Sequence, residues 1–296
     1  MRVSTLRAGP GLSRGLCAAL LAMVLHGNCP AAQASRPLHV FVSIPPQAFF
    51  VERIAGAEAD VEILVGPGQS PHTFEPSPRQ LAALADCDVY FSIGLPFEER
   101  IIRKLSGMDS GLRIVDTSWN VPRIPMDPDE EPGGLPDPHT WLDPTLAALQ
   151  AENICGALAE LSPRNEPAFH DSLAALESEL GELNKELSAA LAPFRGEKLY
   201  VFHPAFGYFA HAYGLIQVAV ESSGTEPGPR ELTSLIGEVS ASGAKVIFVQ
   251  PQYSTKTART LAREAGAVVV PIDPLAEDYI YNLREIADAV RASLED

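Results

Sequence analysis

His72, His139, His203 and Asp273 are the residues whose types and settings offer chemistry in this chain. Three imidazoles and one carboxylate form a closed four-ligand set that suits Zn²⁺. A neutral imidazole binds metal through one ring nitrogen and needs a partner for the other. Glu75, Asp137 and Asp143 lie near enough in sequence to supply such partners. The carboxylate of Asp273 would cancel one unit of the site's positive charge. Each residue also has a plainer reading. His72 is a loop residue, His139 decorates a turn, His203 packs in a core or caps a helix, and Asp273 caps a turn with Pro274. The intervals between them are too long for spacing alone to bring them together.

Their places among the expected elements say more. Apolar runs at Leu38 to Ile44, Val61 to Val65 and Val89 to Ile93, and a weaker one at Arg113 to Val115, read as strands separated by helical stretches. Ser77-Pro78 and Asp143-Pro144 each read as an N-cap followed by Pro at the first helical position. The alternation resumes with apolar runs at Lys198 to Phe202, Ile216 to Val220, Val246 to Val249 and Ala267 to Val270. Between the two halves, Phe169, Leu173, Leu176, Leu180, Leu183, Leu187 and Leu191 recur at helical spacing along one face. The expected fold is α/β: two parallel-sheet lobes, 35–162 and 193–296, joined by one long helix within 163–192. His72 then follows the second strand, His139 precedes the Asp143 cap, His203 ends a strand, and Asp273 follows the last strand. Open α/β sheets bind ligands outside the carboxyl ends of their strands, so two residues from each lobe can meet in a cleft. His39, His170 and His211 hold no such place and are expected to be structural or surface residues.

The first 34 residues have the pattern of an export signal. Arg2, Arg7 and Arg14 precede the short apolar run Gly15 to Leu25, and Ala32-Gln33-Ala34 offers a cleavage point. The run is shorter than the ~20 residues that span a bilayer. Cys29 lacks the context of a lipidated cysteine. The chain carries 38 acidic against 22 basic residues, a net charge of −16, which argues against nucleic acid as a partner. Cys87 and Cys155 sit in apolar segments without zinc-finger spacing and read as buried thiols.

Four local words carry a family likeness: SPHTFEPSPRQL around His72, DPHTWLDP around His139, VFHPAFGYFA around His203 and PIDPLAEDY around Asp273. In this order they closely resemble the solute-binding proteins of zinc and manganese ABC importers (cluster A-I), and the likeness covers residues 38 to 295. The resemblance implies two lobes with little hinge motion and metal ligation by His72, His139, His203 and Asp273. It implies a periplasmic monomer that passes a divalent ion to a membrane permease and catalyses nothing. Manganese members tend to place a carboxylate at the third ligand position. His203 therefore points to Zn²⁺ as cargo, with Mn²⁺ as the alternative. Two departures stand out. The segment before His139, often long and His-rich in zinc members, is acidic here (Asp127, Asp129, Glu130, Glu131), and Gln250 stands where relatives often have an acid. Two rival classes are an exported zinc metalloenzyme, which would leave a coordination position open for water, and a receptor for a larger chelate, which would need an open pocket.

Overall fold

The computed structural model describes residues 36–107, 111–126, 136–221, 228–253 and 255–295. The expected export segment and the acids at 127–131 lie outside them.

In the first lobe, β1 (Leu38–Val42), β2 (Ala59–Ile63), β3 (Val89–Ser92) and β4 (Arg113–Asp116) pair in parallel in the order β2-β1-β3-β4. Every residue of β3 is buried, as expected of a central parallel strand covered on both faces. The second strand lies earlier than its apolar run suggests. Leu64 and Val65 are buried beyond its end, where their N–H groups donate to the carbonyls of Val42 and Ser43. Hydrophobicity there marks burial rather than the paired ladder.

Helices α1 (Pro45–Ala55), α2 (Pro78–Ala85), α3 (Glu98–Leu105) and α4 (Pro144–Leu161) complete this lobe. Three of them start on proline, whose missing N–H costs nothing in a first turn. Ser77 and Gln80 form a reciprocal capping box on α2. The Asp143 carboxylate accepts from Thr145 N at 2.8 Å to start α4.

Helix α5 (Glu166–Leu191) runs unbroken for 26 residues, with Pro167 in its first turn. At 1.5 Å per residue it is about 39 Å long. The seven apolar residues expected along one face, Phe169 to Leu191, are all buried. Beyond it, β5 (Lys198–Val201), β6 (Ile216–Ala219), β7 (Val246–Val249) and β8 (Val268–Pro271) form a second parallel sheet in the order β6-β5-β7-β8. It is accompanied by α6 (Gly207–Tyr213), α7 (Pro229–Ser242), α8 (Thr255–Ala265) and α9 (Tyr279–Glu295). Side chains along β5 alternate faces. Leu199 and Val201 join a core shared with the first lobe, and Tyr200 and Phe202 pack with Val239 and Leu261 in a second core. Helix α5 lies against α1 and α4 of the first lobe and against α9 of the second.

The fold is thus two α/β lobes with parallel sheets joined by a long helix. Among the described residues, no helix is long and apolar enough to cross a membrane. Cys87 and Cys155 are both buried and unpaired.

Candidate metal centre

The three histidines come from three different loops. His72 lies in a turn beyond β2, where Thr73 N donates to Ser70 O at 3.2 Å. His139 opens a short 3-10 turn, Thr140–Leu142, that leads into α4. His203 stands two residues past the end of β5. One ligand nitrogen from each lies within 4.8 Å of the others, and His72 Nε2 is 3.0 Å from His203 Nε2. His139 and His203 are 4% and 1% exposed, and His72 is half-buried.

Burial disfavours charge on two of these rings. It is the first cause that holds His72 down at about 2, followed by the neighbouring His203 and His139. His203 is also lowered, chiefly by burial, against the opposing pull of Glu221. Two buried imidazoles held from charging, beside the ring of His139, offer lone pairs to a cation.

The surroundings fix each ring. Asp137 Oδ1 accepts from both the backbone N–H and Nδ1 of His139, at 2.8 and 2.7 Å. The proton therefore sits on Nδ1, and Nε2 is left bare for a ligand. The other two expected partners do different work. Asp143 caps α4, and Glu75 pairs with Arg100 at 3.5 Å on the surface.

His203 is held by its backbone. Gln250, buried at the end of β7, accepts from His203 N at 3.1 Å and donates to His203 O at 2.9 Å. An amide makes this two-way contact, whereas a carboxylate has no N–H to give. The Tyr253 ring stacks on His203, centroids 4.5 Å apart at 19°.

Asp273 follows β8 at the carboxyl edge of the second sheet, outside the cluster of three nitrogens. Its Oδ1 accepts from Gln252 Nε2 at 2.7 Å and from Leu275 N at 2.9 Å. Gln252 itself lines the cavity with the three histidines. Among the control residues, His39 pairs with Glu62 at 2.8 Å, and His170 lies 3.8 Å from Cys155 Sγ. Three residues beside the centre escaped the sequence reading as contributors: Glu221, Gln250 and Tyr253. Glu221 stands two residues past β6 and Gln250 directly follows β7, so the rule that points to strand carboxyl ends would have found both.

The cavity inside this ring holds about 10 Å³. That is about one water-sized probe sphere, too small for haem or a siderophore. Two parallel α/β lobes with three imidazoles converging on such a space define a metal-binding receptor of the solute-binding class. Residues 40–293 match the family model described as zinc-uptake complex component A, periplasmic. The chain belongs to the ZnuA family.

A crystal structure of ZnuA superposes with a TM-score of 0.81 at 38% identity, covering 87% of this chain and 99% of that one. A putative metal-binding protein of Chlamydia trachomatis is 28% identical over 258 residues, 87% of this chain and 92% of that protein. The zinc-binding lipoprotein AdcA of Streptococcus pneumoniae is 28% identical over 278 residues. The match takes in 89% of this chain but spans only 56% of AdcA.

Proposed function

We propose that this chain is a high-affinity extracytoplasmic Zn²⁺ receptor that hands the ion to the permease of an ABC importer. The observation that carries this reading is the cluster of His72, His139 and His203 around a space for one small occupant. Imidazole nitrogens favour Zn²⁺ over the harder Mn²⁺. The ion is cargo, so a site that retains it without turning anything over is what the task requires. We assign Asp273 as the fourth ligand. It shares the rim of the cavity through Gln252, and a carboxylate would complete a closed tetrahedral set. Residues 1–34 would serve as the export signal and place the mature chain in the periplasm as a monomer.

The test is elemental analysis of protein purified without added metal, followed by zinc titration. One zinc per chain is expected. Ala at His72, His139 or His203 should each weaken binding strongly, and Asp273→Ala should weaken it less. His170→Ala should bind as the parent does. Parent-like affinity in both His139→Ala and His203→Ala would defeat the assignment.

A further inference from the structure

Two unpaired polar atoms face each other behind the centre. Nδ1 of His203 and Oε2 of Glu221 lie 3.5 Å apart. Their residues are 1% and 4% exposed. Neither atom has a hydrogen-bond partner among the described residues. A buried carboxylate oxygen without a donor is costly, so its presence needs a reason beyond packing.

Asp137 supplies the pattern. It backs His139 through one oxygen, while its other oxygen, Oδ2, is also buried without a partner. Two of the three imidazoles therefore have a buried carboxylate on the side away from the cluster.

We propose that Glu221 is a positioning residue of the metal centre. It keeps the His203 proton on Nδ1, presents Nε2 bare to a divalent cation, and supplies a buried negative charge that the cation offsets. This rests on the receptor reading above. The proton inventory of the cluster follows. His72 Nε2 and His203 Nε2 are 3.0 Å apart, so one of them carries a proton in the metal-free protein. With the His203 proton held on Nδ1, that bridging proton belongs to His72. When a cation takes both Nε2 atoms, His72 changes tautomer, its proton passing through solvent to its own Nδ1.

The same arrangement separates two effects that a structural residue would join. Without metal, Glu221 has a buried oxygen that lacks a hydrogen bond, so replacing it should leave the fold intact or stabilise it. With metal, its charge is needed. The experiment compares the parent with Glu221→Gln and Glu221→Leu. It reads zinc affinity against a chromogenic chelator, melting temperature with and without zinc, and histidine ring ¹⁵N shifts. Zinc affinity should fall about ten-fold in Glu221→Gln and about 100-fold in Glu221→Leu. Their metal-free melting temperatures should equal or exceed the parent's. His203 should be Nδ1-protonated in the parent and a tautomer mixture in Glu221→Leu. Parent-like affinity in both variants overturns the proposal. So does a lowered metal-free melting temperature with unchanged tautomers, which marks a structural role. His203→Ala separates the two readings. If it and His139→Ala both keep parent affinity, the receptor reading fails; if it loses binding while both Glu221 variants keep it, only the role of Glu221 fails.

Discussion

Trp141 donates its indole N–H to the carbonyl of Pro274 at 2.7 Å, and so ties the loop that carries His139 to the loop that carries Asp273. The bond is buried, and Tyr279 OH donates in turn to Trp141 O at 2.5 Å. Trp141→Phe keeps an aromatic ring but leaves the Pro274 carbonyl unpaired. A buried unsatisfied group costs ~1–3 kcal/mol, and in a chain of this size each kcal/mol lowers the melting temperature by ~2–4 °C. Calorimetry should show that loss. Zinc titration should show weaker binding as well, because two ligand loops lose their common anchor. Lowered stability with parent affinity would mean that the anchor serves the fold alone.

Gly207 is a second point where the lobes meet the site. A Cβ there would fall 2.5 Å from Asp137 Oδ2, and its φ carries no glycine requirement of its own. Gly207→Ala should therefore act through Asp137, displacing the carboxylate that orients His139. A fall in zinc affinity of ~10-fold or more is expected, on the scale of losing a histidine's outer partner. The check is a chelator competition. Unchanged affinity would show that Asp137 relaxes without disturbing the ring.

His72 and Glu98 make opposed contributions to stability against pH in the metal-free protein. His72 titrates near 6.5 when exposed and at about 2 when folded. Between those values the unfolded chain binds more protons, so this contribution is lost as pH falls below about 6.5. Glu98 is the reverse case. Burial pushes its carboxyl from 4.5 up to about 7, against the pull of the Ser43 hydroxyl and the N–H groups of Ile93, Gly94 and Leu95. The folded chain then binds more protons, and this contribution is lost as pH rises from about 4.5 through about 7. Each slope is at most ~1.4 kcal/mol per pH unit, and they offset between about pH 4.5 and 6.5. In Glu98→Gln the opposing Glu98 slope is removed. Urea unfolding of the metal-free variant should lose stability toward acid more steeply than the parent does. Parallel pH profiles would show that Glu98 is ionised in the folded state near neutrality.

Selectivity should follow His203. Glu at this position removes one nitrogen ligand and adds negative charge, both of which favour Mn²⁺ relative to Zn²⁺. His203→Glu should narrow the ratio of the two affinities in a competition titration. A parent that prefers Mn²⁺, or a ratio that the substitution does not move, would remove His203 from that role.

Much of this was legible in the chain before any coordinates. The seven buried residues of α5 and the caps at Ser77 and Asp143 are local patterns, and periodicity and side-chain chemistry report them directly. The meeting of His72, His139 and His203 is not local. It was inferred from their places beyond strand ends and from the words around them. Partners were harder to assign. Asp143 sits four residues from His139 yet serves a helix N-terminus, whereas Glu221 sits eighteen residues from His203 and faces its ring. Sequence distance ranks them wrongly because β5 and β6 lie side by side, and their carboxyl ends bring both residues to one edge. Gln250 looked like a neutral departure from an acid. Its two bonds to the backbone of His203 depend on β7 lying next to β5, which the sequence does not state.

Neither lobe owns the leucine face of α5. Phe169, Leu173 and Leu176 belong to the same core as α1 and α4, and the core also takes in Leu283, Ile286 and Val290 of α9. Helix α9 packs directly on α5 and comes nearly ninety residues after it in the chain. A chain made from its amino end completes α5 long before α9 exists. Throughout that interval the stripe lacks its last cover, and a truncated product would present it to whatever binds exposed leucines. The stripe closes only when α9 arrives.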